Sequence, residues 1–187
     1  NDVDQASNAV VAHTPSPSEK VFNCHGLVVG YVQSGKTSNY IAVASKMADL
    51  EYRLIIVLSG IHNGLRRQTQ ERLQQLLQHK NSEGWHTLTS LDHDFQVPGG
   101  TDIEAYLSPN SQQRTLAVIK KNSTVLDRFF NWMDTTKGRD ALKTTKVLII
   151  DDEGDQASVE TETINPKIRR MLSLMPKHTY IAYTATP

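Results

Sequence analysis

At 187 residues the chain is long enough for one domain with a real core. Its 20 basic and 20 acidic side chains cancel, which excludes a strongly basic nucleic-acid clamp, and 38% hydrophobic residues exclude a disordered chain. A single cysteine, Cys24, rules out an internal disulfide and suits a reducing cytoplasm, and no apolar run approaches membrane-spanning length.

In chain order, residues 1–20 are polar, carry Pro15 and Pro17, and read as a tail or linker; residues 21–187 read as one nucleotide-binding domain. His25–Val29 is a short apolar strand, and Ser38–Leu50 a helix with Ile41, Ala44, Met47 and Ala48 inward. Tyr52–Ser59 (YRLIIVLS) is a continuous apolar run, as expected of a strand buried on both faces. A helix follows over Asn63–His79, anchored by Leu65, Leu73, Leu76 and Leu77. Residues 80–112 are irregular, with a short strand expected over Trp85–Thr89. Then come a strand at Thr115–Ile119, a helix at Ser123–Met133, a strand at Lys146–Ile150, a helix at Pro166–Leu174 and a strand at Thr179–Tyr183. Strands alternating with helices predict an α/β fold: a RecA-like P-loop domain whose mainly parallel sheet carries helices on both faces. The chain starts at Asn1 rather than methionine and ends at Pro187 just past a strand, which suggests a piece of a longer protein.

Between the first strand and helix stands Gly30-Tyr31-Val32-Gln33-Ser34-Gly35-Lys36-Thr37, the pattern G-x-x-x-x-G-K-T, followed by Ser38. The glycines let the backbone curl so that several N–H groups face one anion, with no side chain in the way. Lys36 is placed to reach the β- and γ-phosphates, and Thr37 to offer its hydroxyl to Mg²⁺. The helix that opens here turns its positive end to the same point. ATP and Mg²⁺ are therefore the expected cofactors.

After the strand Val147–Ile150 come Asp151-Asp152-Glu153-Gly154-Asp155. Parallel sheets place ligands at the C-terminal ends of their strands, and so many carboxylates need a cation among them. In the frame D-E-x-D, Asp152 holds Mg²⁺ and Glu153 orients and deprotonates the attacking water. Asp151 is the alternative metal partner if the frame shifts by one residue. Beyond the next strand, Thr184-Ala185-Thr186 offers two hydroxyls that would bond Asp155 and couple nucleotide state to motion. Arg66, Arg67 and Arg72 on the helix after Ser59, and Lys120 and Lys121 at another strand end, are candidates for nucleic-acid contact; a solvated helix face explains the arginines equally well. The seven histidines show no metal spacing.

P-loop first, D-E-x-D next and T-A-T one strand later is the order of the first motor domain of superfamily-2 helicases and translocases, which this chain resembles. Five blocks, VVGYVQSGKTSNY, LIIVLSGIHNGLRRQTQERL, LAVIKKN, LIIDDEGDQAS and YIAYTATP, resemble more narrowly the Z-one domain family. These are helicase-like, endonuclease-associated ATPases of bacterial defence clusters. The resemblance implies an ATP-driven core acting on nucleic acid, DNA in particular, in anti-phage defence or restriction. It supports Lys36, Thr37, Asp152, Glu153 and Asp155, and it implies a second motor domain bringing an arginine finger. No P-D…(D/E)-x-K constellation occurs in the sequence, so nuclease chemistry would belong to a partner. Two rival readings are a self-contained small-molecule P-loop kinase and a non-hydrolysing nucleotide switch. D-E-x-D with T-A-T disfavours the first and Glu153 the second. A GTPase is disfavoured because Thr136-Lys137-Gly138-Arg139 lacks the acid of N/T-K-x-D.

Overall fold

The computed structural model describes residues 2–16, 18–30, 35–78, 84–152 and 161–185, with the backbone alone at 76, 78 and 161–163. Among these residues six strands form one sheet: β1 (Phe22–Val29), β2 (Tyr52–Ser59), β3 (Trp85–Thr87), β4 (Arg114–Lys120), β5 (Lys146–Asp152) and β6 (Lys177–Thr184). Their order is β1-β6-β5-β2-β4-β3, and every neighbouring pair is parallel. The helices are α1 (Asp2–Ala12), α2 (Lys36–Asp49), α3 (Asn63–Gln78), the single-turn α4 (Ile103–Tyr106), α5 (Ser123–Met133), α6 (Thr136–Thr144) and α7 (Thr161–Leu172). The fold is thus the RecA-like α/β arrangement expected, with β6 set between the strand leading to the P-loop and the strand ending in Asp152.

The period of two along each strand divides the core. Leu54, Ile56, Leu58, Val147 and Ile149 turn to one face, where Phe129 and Met133 of α5, Leu142 of α6 and Ile168 of α7 cover them. Ile55, Val57, Leu148, Ile150 and Ile181 turn to the other, under Val43, Ala44 and Met47 of α2 and Leu73 and Leu77 of α3. Both faces of β2 are covered, which is why its sequence shows no polar alternation. Among the described residues, no helix is long and apolar enough to cross a membrane.

Three local features differ from the sequence expectation. Where a tail was expected, Asp2–Ala12 form α1, which docks on α2. Lys46 of α2 reaches the Asp4 carbonyl and carboxylate, Ser7 Oγ and Asn8 Oδ1, while Val10 and Val11 pack against the core. The irregular region contains α4 and a β3 shorter than expected; beyond it Thr89 Oγ1 accepts from the Val118 N–H at 2.9 Å and donates to Gln70 Oε1 at 2.7 Å. A buried side-chain pair thus continues the ladder that β3 leaves unfinished.

The third feature is α6, started by the Thr135 hydroxyl accepting from the Gly138 N–H at 3.0 Å. A methyl group at Gly138 would lie 2.2 Å from the Met133 carbonyl oxygen and 2.9 Å from Ile103 Cγ2. Gly138→Ala should therefore destabilise the chain by about 2–3 kcal/mol despite its better helix propensity. A urea midpoint equal to or above that of the parent would show that the α4–α6 contact yields freely.

Candidate nucleotide site

β1 and β6 run together to the edge of the sheet where both segments of the candidate site begin. The Gly30 N–H donates to the Thr184 carbonyl at 3.0 Å, so the P-loop leaves the sheet beside the first threonine of T-A-T. Gly35 caps α2 in the left-handed region, at φ 74° and ψ 20°. Only glycine takes that conformation without strain, and none of the described residues comes within 4 Å of the position a Cβ would occupy. Lys36, Thr37 and Ser38 form the first turn of α2, the first two half-buried and Ser38 exposed.

Period two separates the adjacent acids. Asp151 turns to the α5–α7 face and is paired with Lys121 at 2.6 Å, each side chain 2% exposed. Tyr180 donates its hydroxyl to the other Asp151 oxygen, and Lys121 also donates to the Asp152 carbonyl at 2.8 Å. Burial first, then the Asp151 charge, push the Tyr180 phenol above its usual range, so it remains a donor. Asp152 turns to the opposite face, towards α2.

There the Tyr40 hydroxyl donates to Asp152 Oδ2 at 3.3 Å. Tyr40 is 0% exposed, and the side chains of Thr37 and of Thr69 on α3 face its oxygen. Burial and then the Asp152 charge hold this phenol well above its ordinary pKa. Its ring meets Tyr183 of β6 edge-on, 5.5 Å between centroids, and Tyr183 donates to Asn39 Oδ1 at 2.9 Å. Arg72 of α3 donates to Thr37 Oγ1 at 3.2 Å. Thr37 and Asp152, one residue from each motif, are thus brought together through Tyr40. A hydroxyl and a carboxylate are both hard oxygen donors of the kind Mg²⁺ takes. With Lys36 in the same helical turn, the donor set fits a Mg²⁺–nucleotide.

Tyr40, Thr69 and Tyr183 were not singled out in the sequence. The available signal was a tyrosine three residues after Thr37, on the inner face of the helix. Tyr31, Val32, Gln33, Ser34, Glu153, Asp155 and Thr186 lie outside the described residues.

Two of the cations expected at nucleic acid are buried. Lys121 is spent on the buried pair with Asp151. Arg66 is 3% exposed and donates to the Ser90 and Leu91 carbonyls, pinning the loop after β3. Arg67, exposed and paired with Asp92 at 3.2 Å, and Lys120, bonded to Asn63 at 2.8 Å, remain on the surface. Arg66, Arg67, Asn63, Asp92 and Arg128 border a polar cavity of about 420 Å³ at the start of α3. No group of three or more His, Cys, Asp or Glu is arranged to hold a metal among the described residues.

No family model matches the sequence, and no curated protein does. Among solved structures the chain is similar to the crystal structure of a hypothetical ATP-dependent RNA helicase from Sulfolobus tokodaii, with 14% identity and a TM-score of 0.49. That match covers 100% of this chain and 51% of the other, so the chain spans about half the length of that protein.

Proposed function

We propose that this chain binds ATP with Mg²⁺ at the sheet edge between α2 and β5 and hydrolyses it, as the first motor domain of a superfamily-2-like protein acting on nucleic acid. The observation that carries this reading is the Tyr40–Asp152 hydrogen bond at 3.3 Å, which sets the acid ending β5 beside the helix that opens with Gly-Lys-Thr. Lys36 would bind the β- and γ-phosphates, and Thr37 and Asp152 would hold the metal. Glu153 would orient the attacking water and take its proton. Bound Mg²⁺–ATP supplies the transferable γ-phosphoryl group and the charge that offsets its oxygens. Asp155, Thr184 and Thr186 would relay nucleotide state; the Gly30 N–H on the Thr184 carbonyl, at 3.0 Å, puts Thr184 beside the start of the Gly-rich motif. Arg67 and Lys120 are the surface cations offered to a nucleic-acid backbone, with DNA the expected partner. The Z-one resemblance extends the proposal to bacterial defence, a second motor domain and a nuclease partner.

Lys36→Ala should weaken ATP binding about 10- to 100-fold, because a charge-assisted hydrogen bond contributes about 1.5–3 kcal/mol. Its unfolding midpoint should stay near that of the parent. Titration of both proteins with a fluorescent ATP analogue, and ATP hydrolysis with and without DNA or RNA, check this. Equal affinity in the two proteins would remove the P-loop assignment.

A further inference from the structure

The Thr37 hydroxyl, expected on the metal, here accepts a hydrogen bond from Arg72 at 3.2 Å. Arg72 lies on α3, an element that a P-loop reading of the sequence leaves out of the site. The helix is held there by more than this one contact, since Thr69, one turn earlier, faces the buried Tyr40 hydroxyl that also bonds Asp152. Arg72 itself is exposed, and no carboxylate pairs with it among the described residues. Its guanidinium is therefore free of a competing ion pair there and stands at the phosphate end of α2.

Thr37 Oγ1 cannot accept from a guanidinium and ligate Mg²⁺ on the same lone pair, and two cations at one oxygen repel. Anions bound at the first turn of α2 would be the nearest opposite charge for the displaced side chain. Arginine presents a planar fork that matches phosphate oxygens. We infer that Arg72 is a phosphate-binding residue of the nucleotide site, moving from Thr37 onto the triphosphate when the metal takes the hydroxyl. The inference rests on the nucleotide-site reading above and deepens it. Arg72 would supply from within this chain a positive charge on the phosphates, with α3 as the third wall of the site.

The test is equilibrium titration of the full chain with N-methylanthraniloyl-ATP and Mg²⁺, using the parent, Lys36→Ala, Arg72→Ala, Arg72→Gln and Arg72→Lys. Arg72→Ala should lose about tenfold in affinity or more. Arg72→Gln keeps an N–H donor for Thr37 but no charge, and should bind as weakly as Arg72→Ala. Arg72→Lys should recover part of the loss and steepen the salt dependence again. Parent-like or tighter binding by Arg72→Ala, or full recovery by Arg72→Gln, would overturn the inference, since Arg72 would then only occupy or orient the hydroxyl. If the parent binds no nucleotide, or Lys36→Ala binds equally well, the nucleotide-site reading falls and the inference with it. A Lys36-dependent parent with an indifferent Arg72→Ala removes the role of Arg72 alone.

Discussion

Glu153→Gln should bind Mg²⁺–ATP much as the parent chain does and hydrolyse it about 10²- to 10⁴-fold more slowly, because only the proton acceptor is lost. Asp152→Asn should behave differently. The amide keeps the size of the side chain, and its oxygen still accepts from Tyr40, but the metal loses a full negative charge. The Mg²⁺ concentration required for nucleotide binding should rise, while binding without metal should change little. Calorimetric titration of ATP at several Mg²⁺ concentrations separates the two variants. If Glu153→Gln fails to bind ATP while Asp152→Asn turns it over normally, the roles belong to other residues of the acidic run. The placement of Asp151 makes that shift costly: with Lys121 and Tyr180 already on its two oxygens, it has little left to offer a metal.

Lys121→Met should cost about 3–5 kcal/mol of stability, the loss typical when one partner of a buried ion pair is removed. The Asp151 carboxylate would be left 2% exposed with only the Tyr180 hydroxyl to compensate its charge. The companion Lys121→Met/Asp151→Asn variant removes the stranded charge and should recover a large part of the loss. Urea denaturation of the three proteins measures both steps. A single variant within about 0.5 kcal/mol of the parent, the range of an ordinary surface change, would mean that water reaches the pair. Because Lys121 also holds the Asp152 carbonyl at 2.8 Å, the single variant should weaken Mg²⁺-dependent nucleotide binding even where it remains folded.

The elements most legible in the sequence are those whose burial is written in apolar runs. Tyr52–Ser59 is a strand over the residues expected, and Ile41, Ala44, Met47 and Ala48 are all buried on α2. α1 was not legible because it is held largely through polar groups gathered by Lys46, more than thirty residues away. α6 was not legible because it buries only Gly138 and Leu142, too little for a helical stripe. In the site, the two motifs were legible but not what joins them. Nothing local distinguishes Asp151 from Asp152: alternation sends them to opposite faces, and only the fold puts Lys121 on one and Tyr40 on the other. Arg66 and Lys121 looked like surface cations because their partners, the Ser90 and Leu91 carbonyls and Asp151, are distant in sequence. Charge reads from sequence, whereas burial of a charge depends on partners supplied by the fold.

The strand order also bears on how the chain assembles during synthesis. Among the described residues β1 hydrogen-bonds to no strand but β6, and their register sets Phe22 beside Lys177 and Val29 beside Thr184. β2, β4 and β5 can pair among themselves once Asp152 has been made, but among the described strands β1, which precedes Gly30, has no ladder to join until β6 appears. Loop-closure entropy must be overcome across the residues between Val29 and Lys177 before that pairing is rewarded. The candidate nucleotide site would therefore become ordered only once β6 joins, with β6 acting as the keystone between the strand that precedes Gly30 and the strand that ends in Asp152.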